Sequence, residues 1–213
     1  MTDAEKLYEV MNSRRSVRQF KPDRPPKDTV ERLIEAAITA PSASNKQPWR
    51  FLAVANREVI ARLAAAVREA VDRIAHHIEP AFEESFRAYG DYFTRFVEAP
   101  IVMVLLFRSM AVLSHLVGQR LPAEGRDRMV AMERDTGLTS ASLAMQNLLL
   151  MAHAMGLGAS AMTGPLAASD RIREILGIQP SWHVVAFIPL GYPDEDPAAT
   201  PRKPVGQVLK WIE

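Results

Sequence analysis

Residues 14–18 read Arg-Arg-Ser-Val-Arg, placing three guanidinium groups and one hydroxyl within five positions. Arginine forks match phosphate and carboxylate oxygens in pairs, and Ser16 adds a further donor, so the chemistry on offer is anion binding. Taken alone, the run reads as a solvated basic link after a helix, whose C-terminal end favours cations anyway. A second cluster lies in residues 40–51 (APSASNKQPWRF), where Ser42, Ser44, Asn45, Lys46 and Gln47 precede an apolar run. A plain connector needs only a turn. Taken alone, Ser42, Ser44 and Asn45 satisfy local backbone groups, Pro41 ends the helix before them, and Trp49 packs in the core. Lys46 has no evident role.

Other candidates carry less. Residues 156–161 (GLGASA) fit the letters of G-x-G-x-x-A, but a dinucleotide fingerprint needs a strand before it and a helix after it. Here the order is helix then strand, so Gly156 reads as a helix stop. The five histidines offer no metal set. His76 and His77 are adjacent on a helix and diverge, while His115, His153 and His183 have no carboxylate at ligand spacing. They read as satisfied core or surface histidines. No serine sits in a G-x-S-x-G context, so hydrolysis through an activated serine has no visible apparatus.

The elements that must position these groups follow from periodicity. Residues 4–11 suit a short amphipathic helix, and Asp28 or Thr29 can cap a second one carrying Val30, Leu33, Ile34, Ala37 and Ile38 on one face. Residues 49–55 are a short strand. Residues 58–97 are helical in character and split at Pro80; their aromatics Phe82, Phe86, Tyr89, Tyr92 and Phe93 recur at helical spacing and are expected in the core. The continuous run at 101–107 (IVMVLLF) is a buried central strand. Residues 108–136 are charged and expected as surface helix and loop. Residues 138–155 form a strongly apolar helix, suited to a core or a dimer contact. Strands at 157–163 and 183–190 flank a short helix at 169–176, and a proline-rich tail turns briefly helical.

Composition bounds the class. The 213 residues suit one domain with extensions, and 48% hydrophobic content allows a sizeable core. With 26 basic residues against 25 acidic ones, the chain has no global attraction to nucleic acid or to an anionic membrane. The absence of cysteine excludes disulfides, thiolate nucleophiles and cysteine metal sites, and fits a cytoplasmic setting. No secretory h-region is present at the start, and the apolar stretch 141–162 is interrupted by Ser142, Gln146, Asn147 and His153. Neither nucleic acid nor membrane is expected as a partner.

Taken together, SRRSVRQF at 13–20, APSASNKQPWRF at 40–51, GLGASAMTGP at 156–165, then GYP and TPRKP, resemble the nitroreductase family in order and over nearly the whole chain. The resemblance implies an α+β fold with a central mixed, mainly antiparallel sheet flanked by helices on both faces, in an intertwined homodimer. It implies a single domain over 1–213, with a 191–213 extension packing on the partner subunit. It implies FMN as cofactor and NAD(P)H as electron donor, with a nitroaromatic, quinone or similar small-molecule acceptor and ping-pong turnover. Arg14, Arg15 and Ser16 are then expected at the FMN phosphate or ribityl chain, and Arg18 at the N1/O2 edge of the ring. Pro41, Ser42, Ala43, Asn45 and Gln47 line the flavin, part of that wall coming from the second subunit. Ala161, Met162, Thr163 and Gly164 cover one ring face, with a backbone N–H of Thr163 or Gly164 near N5. Arg202 binds phosphate from the tail. No side-chain acid, base or nucleophile is required.

The family also places a polar or basic residue near the flavin pyrimidine edge, and several basic residues of 57–97 are candidates. Specialised branches fragment flavin or remove halogen. The fragmenting branch carries an acidic residue where Ser16 stands. A flavin-binding protein without turnover is the remaining alternative.

Overall fold

The computed structural model describes residues 1–109, 112–117 and 120–213. Four strands form one sheet in the order β1-β2-β4-β3: β1 Trp49–Val54, β2 Ile101–Arg108, β3 Gly158–Ala159 and β4 Trp182–Gly191. Among the described residues every strand pairing is antiparallel, so the expected parallel component of a mixed sheet is not seen. The helices are α1 Asp3–Ser13, α2 Lys27–Ala37, α3 Arg57–Ala75, α4 Pro80–Asp91, α5 Leu113–Val117, α6 Ala123–Ala154, α7 Ser169–Leu176 and α8 Val205–Val208.

Strand β2 is apolar at every position from Ile101 to Phe107 because helices cover both its faces. Ile101, Met103, Leu105 and Phe107 pack with Leu33 of α2 and Ala141, Ala144 and Leu148 of α6. Val102, Val104 and Leu106 pack on the other face with Ile60, Leu63 and Val67 of α3 and Ile172 of α7. The β2–β4 register shifts between Leu105, opposite Ala186, and Leu106, opposite Val184, leaving Val185 as the extra residue of a bulge. That insertion lets Ala186, Ile188 and Leu190 face α6 while Val184 and Trp182 face α3.

Several elements differ from the periodicity reading. Helix α6 runs from Ala123, not from residue 138, and so absorbs much of the segment expected as surface helix and loop. Its first buried positions are Glu133, Gly137 and Ser140, which carry no apolar signature. Gly137 is required there: a Cβ would lie 2.5 Å from the Arg108 carbonyl oxygen, so only glycine lets the helix press on the end of β2. Residues 110, 111, 118 and 119 of the expected 108–136 segment lie outside the described residues. The strand expected over 157–163 shrinks to two residues plus an isolated bridge between Met162 and Phe187. Helix α2 starts earlier than expected, with Pro26 at its N-cap, and Asp28 instead accepts the Thr29 N–H at 2.6 Å.

Pro80 does divide the 58–97 segment, standing as the first residue of α4, and residues Tyr92–Glu98 tighten into 3₁₀ geometry. The aromatic stripe is not all core. Phe96 is fully buried against Phe187, whereas Phe82, Tyr89 and Tyr92 are 61%, 62% and 50% exposed. Helix α4 seats on α3 through Gly90, whose Cβ would lie 2.4 Å from Val71 Cγ1, and this rotation turns half the stripe outward. Helix α1 buries none of its residues, and Leu7, Tyr8 and Met11 are exposed. Among the described residues no helix is long and apolar enough to cross a membrane.

Candidate functional site

The basic segment is laid along the β3 edge of the sheet. Helix α1, opened by a Thr2–Glu5 capping box, ends at Ser13, and the chain then extends. The Val17 N–H donates to the Ala159 carbonyl at 3.2 Å, the Asp194 N–H to Gln19 at 3.0 Å, and the Lys21 N–H to Tyr192 at 2.9 Å. One carboxylate oxygen of Glu195 accepts the N–H groups of Arg18 and Gln19. Val17 is buried over Gly158, where a Cβ would meet Val17 Cγ1 at 2.6 Å. With Val17 pinned inward, Arg14, Ser16 and Arg18 are left on the accessible side.

The arginines then converge. Arg15 folds back on α1, donating to the carbonyls of Asn12 at 2.8 Å and Arg14 at 3.0 Å. Arg202 comes from the tail, steadied by the Thr200 hydroxyl at 2.6 Å. Partial burial, then the proximity of Arg202 and of Arg15, hold the Arg14 guanidinium below its ordinary pKa. Among the described residues none of Arg14, Arg15 and Arg202 pairs with a carboxylate. Clustered, partly desolvated cations without an acid are an arrangement that an anion relieves. His153, from the last turn of α6, completes the group with Nε2 2.8 Å from Ser13 Oγ. Sequence spacing gave no reason to join His153 to residues 13–15, because the pairing spans 140 positions.

Just beyond β3, Ser160 is 1% exposed and its hydroxyl has no hydrogen-bond partner among the described residues. Met162 turns its side chain into the core, while Ala161 and Thr163 on either side of it are exposed. Thr163 caps and Gly164 opens a 3₁₀ turn, positions whose N–H groups have no carbonyl within the helix to bond. Gly164 lies against Phe93 so closely that a Cβ would sit 2.2 Å from the ring.

The 41–47 loop stands at the opposite edge. Ser44, Asn45 and Gln47 all have positive φ, at 50°, 52° and 49°. Asparagine tolerates that region, but serine and glutamine adopt it at a cost of roughly 1 kcal/mol or more each, which an ordinary turn would avoid. The loop is held by the Gln47 N–H on Ser42 Oγ at 3.0 Å and the Asn45 N–H on the Ser42 carbonyl at 2.9 Å. Pro41, Ser42 and Ala43 face Met132, Thr136 and Thr139 of α6 across a cavity of about 680 Å³. Pro48 then leads directly into β1. In the order β1-β2-β4-β3, with the arginine segment bonded outside β3, three strands separate this loop from that segment, a gap of about 19 Å at the usual strand spacing. One chain therefore brings Arg14, Arg15, Ser16, Arg18, Arg202 and the 161–164 turn to one edge, and Pro41, Ser42, Ala43, Asn45 and Gln47 to the other.

A sequence model of the Nitroreductase family matches residues 11–192. The chain belongs to the nitroreductase family. Among its nitroreductase relatives, it is 31% identical over 215 residues to the NADH dehydrogenase of Thermus thermophilus, covering 93% of this chain and 92% of that protein. Two crystal structures share the fold. A BluB-like flavoprotein from Clostridium difficile 630 matches with a TM-score of 0.86 at 23% identity, covering 97% of this chain and 99% of that one. An oxidized iodotyrosine deiodinase bound to FMN and 3-iodo-L-tyrosine matches with a TM-score of 0.73 at 23% identity, with coverages of 97% and 99%.

Two further features of this chain lie outside the motifs. Of the basic residues in 57–97, Arg95 lines one cavity of about 420 Å³ with Arg18, Gln19, Glu98 and Asp194, and stacks 4.5 Å from the Tyr92 ring. Arg57 is instead occupied by the carbonyls of Val97 and Ala99, and Arg87 by Glu83 and Asp72. The second feature is Glu133, which is 4% exposed on α6 and receives the N–H groups of Val112, Leu113 and Ser114 at 2.7, 2.5 and 3.1 Å, with the Ser114 hydroxyl on its other oxygen. It thereby caps α5. Burial pushes this carboxyl up, but the hydrogen bonds from Ser114, Val112 and Leu113 outweigh it and leave the pKa below the usual glutamate value. A carboxyl lowered on folding stabilises the native state above its unfolded pKa, and that contribution is lost as pH falls through the lowered folded value. Glu133→Gln is expected to cut hydrogen-exchange protection of the Val112–Ser114 amides roughly 5- to 30-fold at neutral pH, corresponding to about 1–2 kcal/mol of local stability. In the wild type the same loss appears only on acidification below the ordinary glutamate range.

Proposed function

We propose that this nitroreductase is an FMN-dependent oxidoreductase that moves hydride from NAD(P)H to a nitroaromatic, quinone or similarly electron-poor acceptor by ping-pong turnover. The carrying observation is the convergence of Arg14, Arg15 and Arg202 with no acid among them, beside the exposed 161–164 turn. Bound FMN supplies hydride acceptance and delivery at its N5. The protein supplies orientation and electrostatics. Arg14 and Arg202 hold the phosphate, with Ser16 adding a hydroxyl. Arg18 places a positive charge at the N1/O2 edge, where negative charge develops on reduction, and this raises the reduction potential. Ala161 and Gly164 would present small surfaces to the ring, and the Thr163 or Gly164 N–H would be the donor available to N5. Arg95, sharing a cavity with Arg18, is the candidate for the family's basic residue near the pyrimidine edge.

The site is completed by a second copy, whose Pro41, Ser42, Ala43, Asn45 and Gln47 form the facing wall. The separation of the two clusters within one chain supports this reading, as do the unpartnered apolar residues of α1. The tail packs on the partner: Val205, Leu209, Trp211 and Ile212 are 69%, 49%, 78% and 91% exposed in a single chain. A groove of about 650 Å³ between α2 and the outer strand β1, walled by Ile34, Ile38, Phe51 and Ala53, offers apolar seating. Deleting residues 205–213 leaves Arg202 in place and is expected to weaken dimerisation at least ~10-fold in sedimentation, since burying Leu and Trp side chains contributes a few kcal/mol. An unchanged dimer would place the tail elsewhere.

The reading is tested by anaerobic titration of the purified protein reconstituted with FMN. Bleaching of the flavin absorbance by NADH or NADPH, followed by recovery on adding a quinone, is the expected result. Bound flavin that neither nucleotide bleaches would sink it in favour of a flavin carrier.

A further inference from the structure

His153 has no role in the flavin chemistry described above, yet it sits where the phosphate site is most crowded with positive charge. Its ring reaches Ser13, the last residue of α1, with Nε2 2.8 Å from Ser13 Oγ. The Ser13 hydroxyl has one proton, and the Glu9 carbonyl takes it at 2.7 Å. Nε2 is therefore the donor in the Ser13 contact, and the neutral ring keeps its lone pair at Nδ1. Protonation can occur there without breaking the Ser13 bond.

The groups acting on the ring come from three elements. Arg14 and Arg15, in the segment after α1, disfavour its cation, and Arg202 of the tail lies close enough to Arg14 to act on it. Glu9 of α1 contributes its carbonyl to Ser13, while its side chain lies on the exposed surface. Helix α6 contributes its own C-terminal end, which favours a cation in its last turn. Partial burial, then Arg14 and Arg15, hold the imidazole pKa below its ordinary value. A dianion among the three arginines offsets two of their three positive charges and so relieves the Coulombic part of that opposition, while the burial part remains.

We propose that His153 is a proton-linked member of the phosphate site, taking up a proton at Nδ1 when a phosphate monoester dianion settles among Arg14, Arg15 and Arg202. The proposal rests on the reading that FMN binds here. The bound state holds more protons than the free one, so affinity falls as pH rises through the bound-state pKa. A rise of one unit on binding gives at most about a tenfold change in Kd. The phosphate loses its second charge only near pH ~6, which leaves the range above it for the histidine.

The test compares the flavin-free full-length protein with H153Q, using FMN, riboflavin and inorganic phosphate as separate ligands. Wild-type FMN affinity is expected to weaken roughly threefold to tenfold from pH 6.5 to 8.5, with fractional proton uptake seen calorimetrically in buffers of different ionisation heat. Riboflavin, lacking the phosphate, is expected to show neither effect, and inorganic phosphate, once its own titration is subtracted, is expected to show both. H153Q is expected to bind FMN with a flat pH profile over this range. In the wild type, the His153 imidazole resonance is expected to titrate at higher pH with FMN than without it, a readout that does not depend on the variant folding. Identical pH profiles for wild type and H153Q, or an unmoved resonance, overturn the proposal while leaving FMN binding intact. Failure of FMN to bind at any pH overturns the flavin reading and this proposal together.

Discussion

Arg14→Ala is expected to weaken FMN binding by about 100-fold, or about 2.7 kcal/mol, while changing riboflavin affinity only a few-fold. The contrast follows from placement. Arg14 is partly buried next to Arg202 and Arg15, so its guanidinium meets a dianion with less solvent screening than a surface arginine does. Riboflavin carries the same ring without the phosphate, so it isolates the charge interaction from stacking. Folding stability of the flavin-free protein is expected to hold or rise slightly in the variant, because burial and like charges already disfavour the Arg14 cation in the native state. Arg14→Lys keeps the charge but loses the planar fork, and an intermediate affinity is expected. Fluorescence titration with both ligands decides the matter. Equal losses for FMN and riboflavin would remove Arg14 from the phosphate.

A mixed dimer is expected to recover binding that two defective homodimers have lost. Arg14→Ala damages the arginine edge, and Ala43→Trp fills the facing wall with an indole. Each homodimer then has two defective sites. When each site takes its arginines from one protomer and its 41–47 wall from the other, a mixed dimer contains one doubly defective site and one intact site. Co-expression with two different tags, followed by tandem purification, is expected to give about one tightly held FMN per dimer, against nearly none in either homodimer. Sites contained within single chains would leave the mixed dimer as empty as its parents. Ala43 is exposed in the single chain, so the substitution is not expected to disturb its core.

Much of the fold was legible because burial writes itself into local patterns. The IVMVLLF run named the central strand, and helices covering both of its faces are the reason it has no polar alternation. Helix α7 spans Ser169–Leu176, as its periodicity implies. The first half of α6 was illegible for the same reason read in reverse. Its buried side is built from Glu133 and Gly137, which serve a cap and a close approach instead of apolar packing. The aromatic stripe of α4 misled because helical spacing says that residues share a face without saying which neighbour that face meets.

For the candidate site, sequence alone nominated the residues. The types and order of Arg14, Arg15, Ser16 and Arg18, of the 41–47 loop, of the 161–164 turn and of Arg202 are local properties that the residue string carries. Their mutual placement is not local. That Arg202 reaches Arg14, that His153 joins Ser13, and that the 41–47 loop stands three strands away from the arginine segment depend on the strand order β1-β2-β4-β3. Backbone propensity and hydrophobic period act over a few residues, whereas strand order is decided by which apolar faces bury one another across the whole chain. The left-handed backbone at Ser44 and Gln47 belongs with the second group, since neither residue type calls for it and only the surrounding fold holds it.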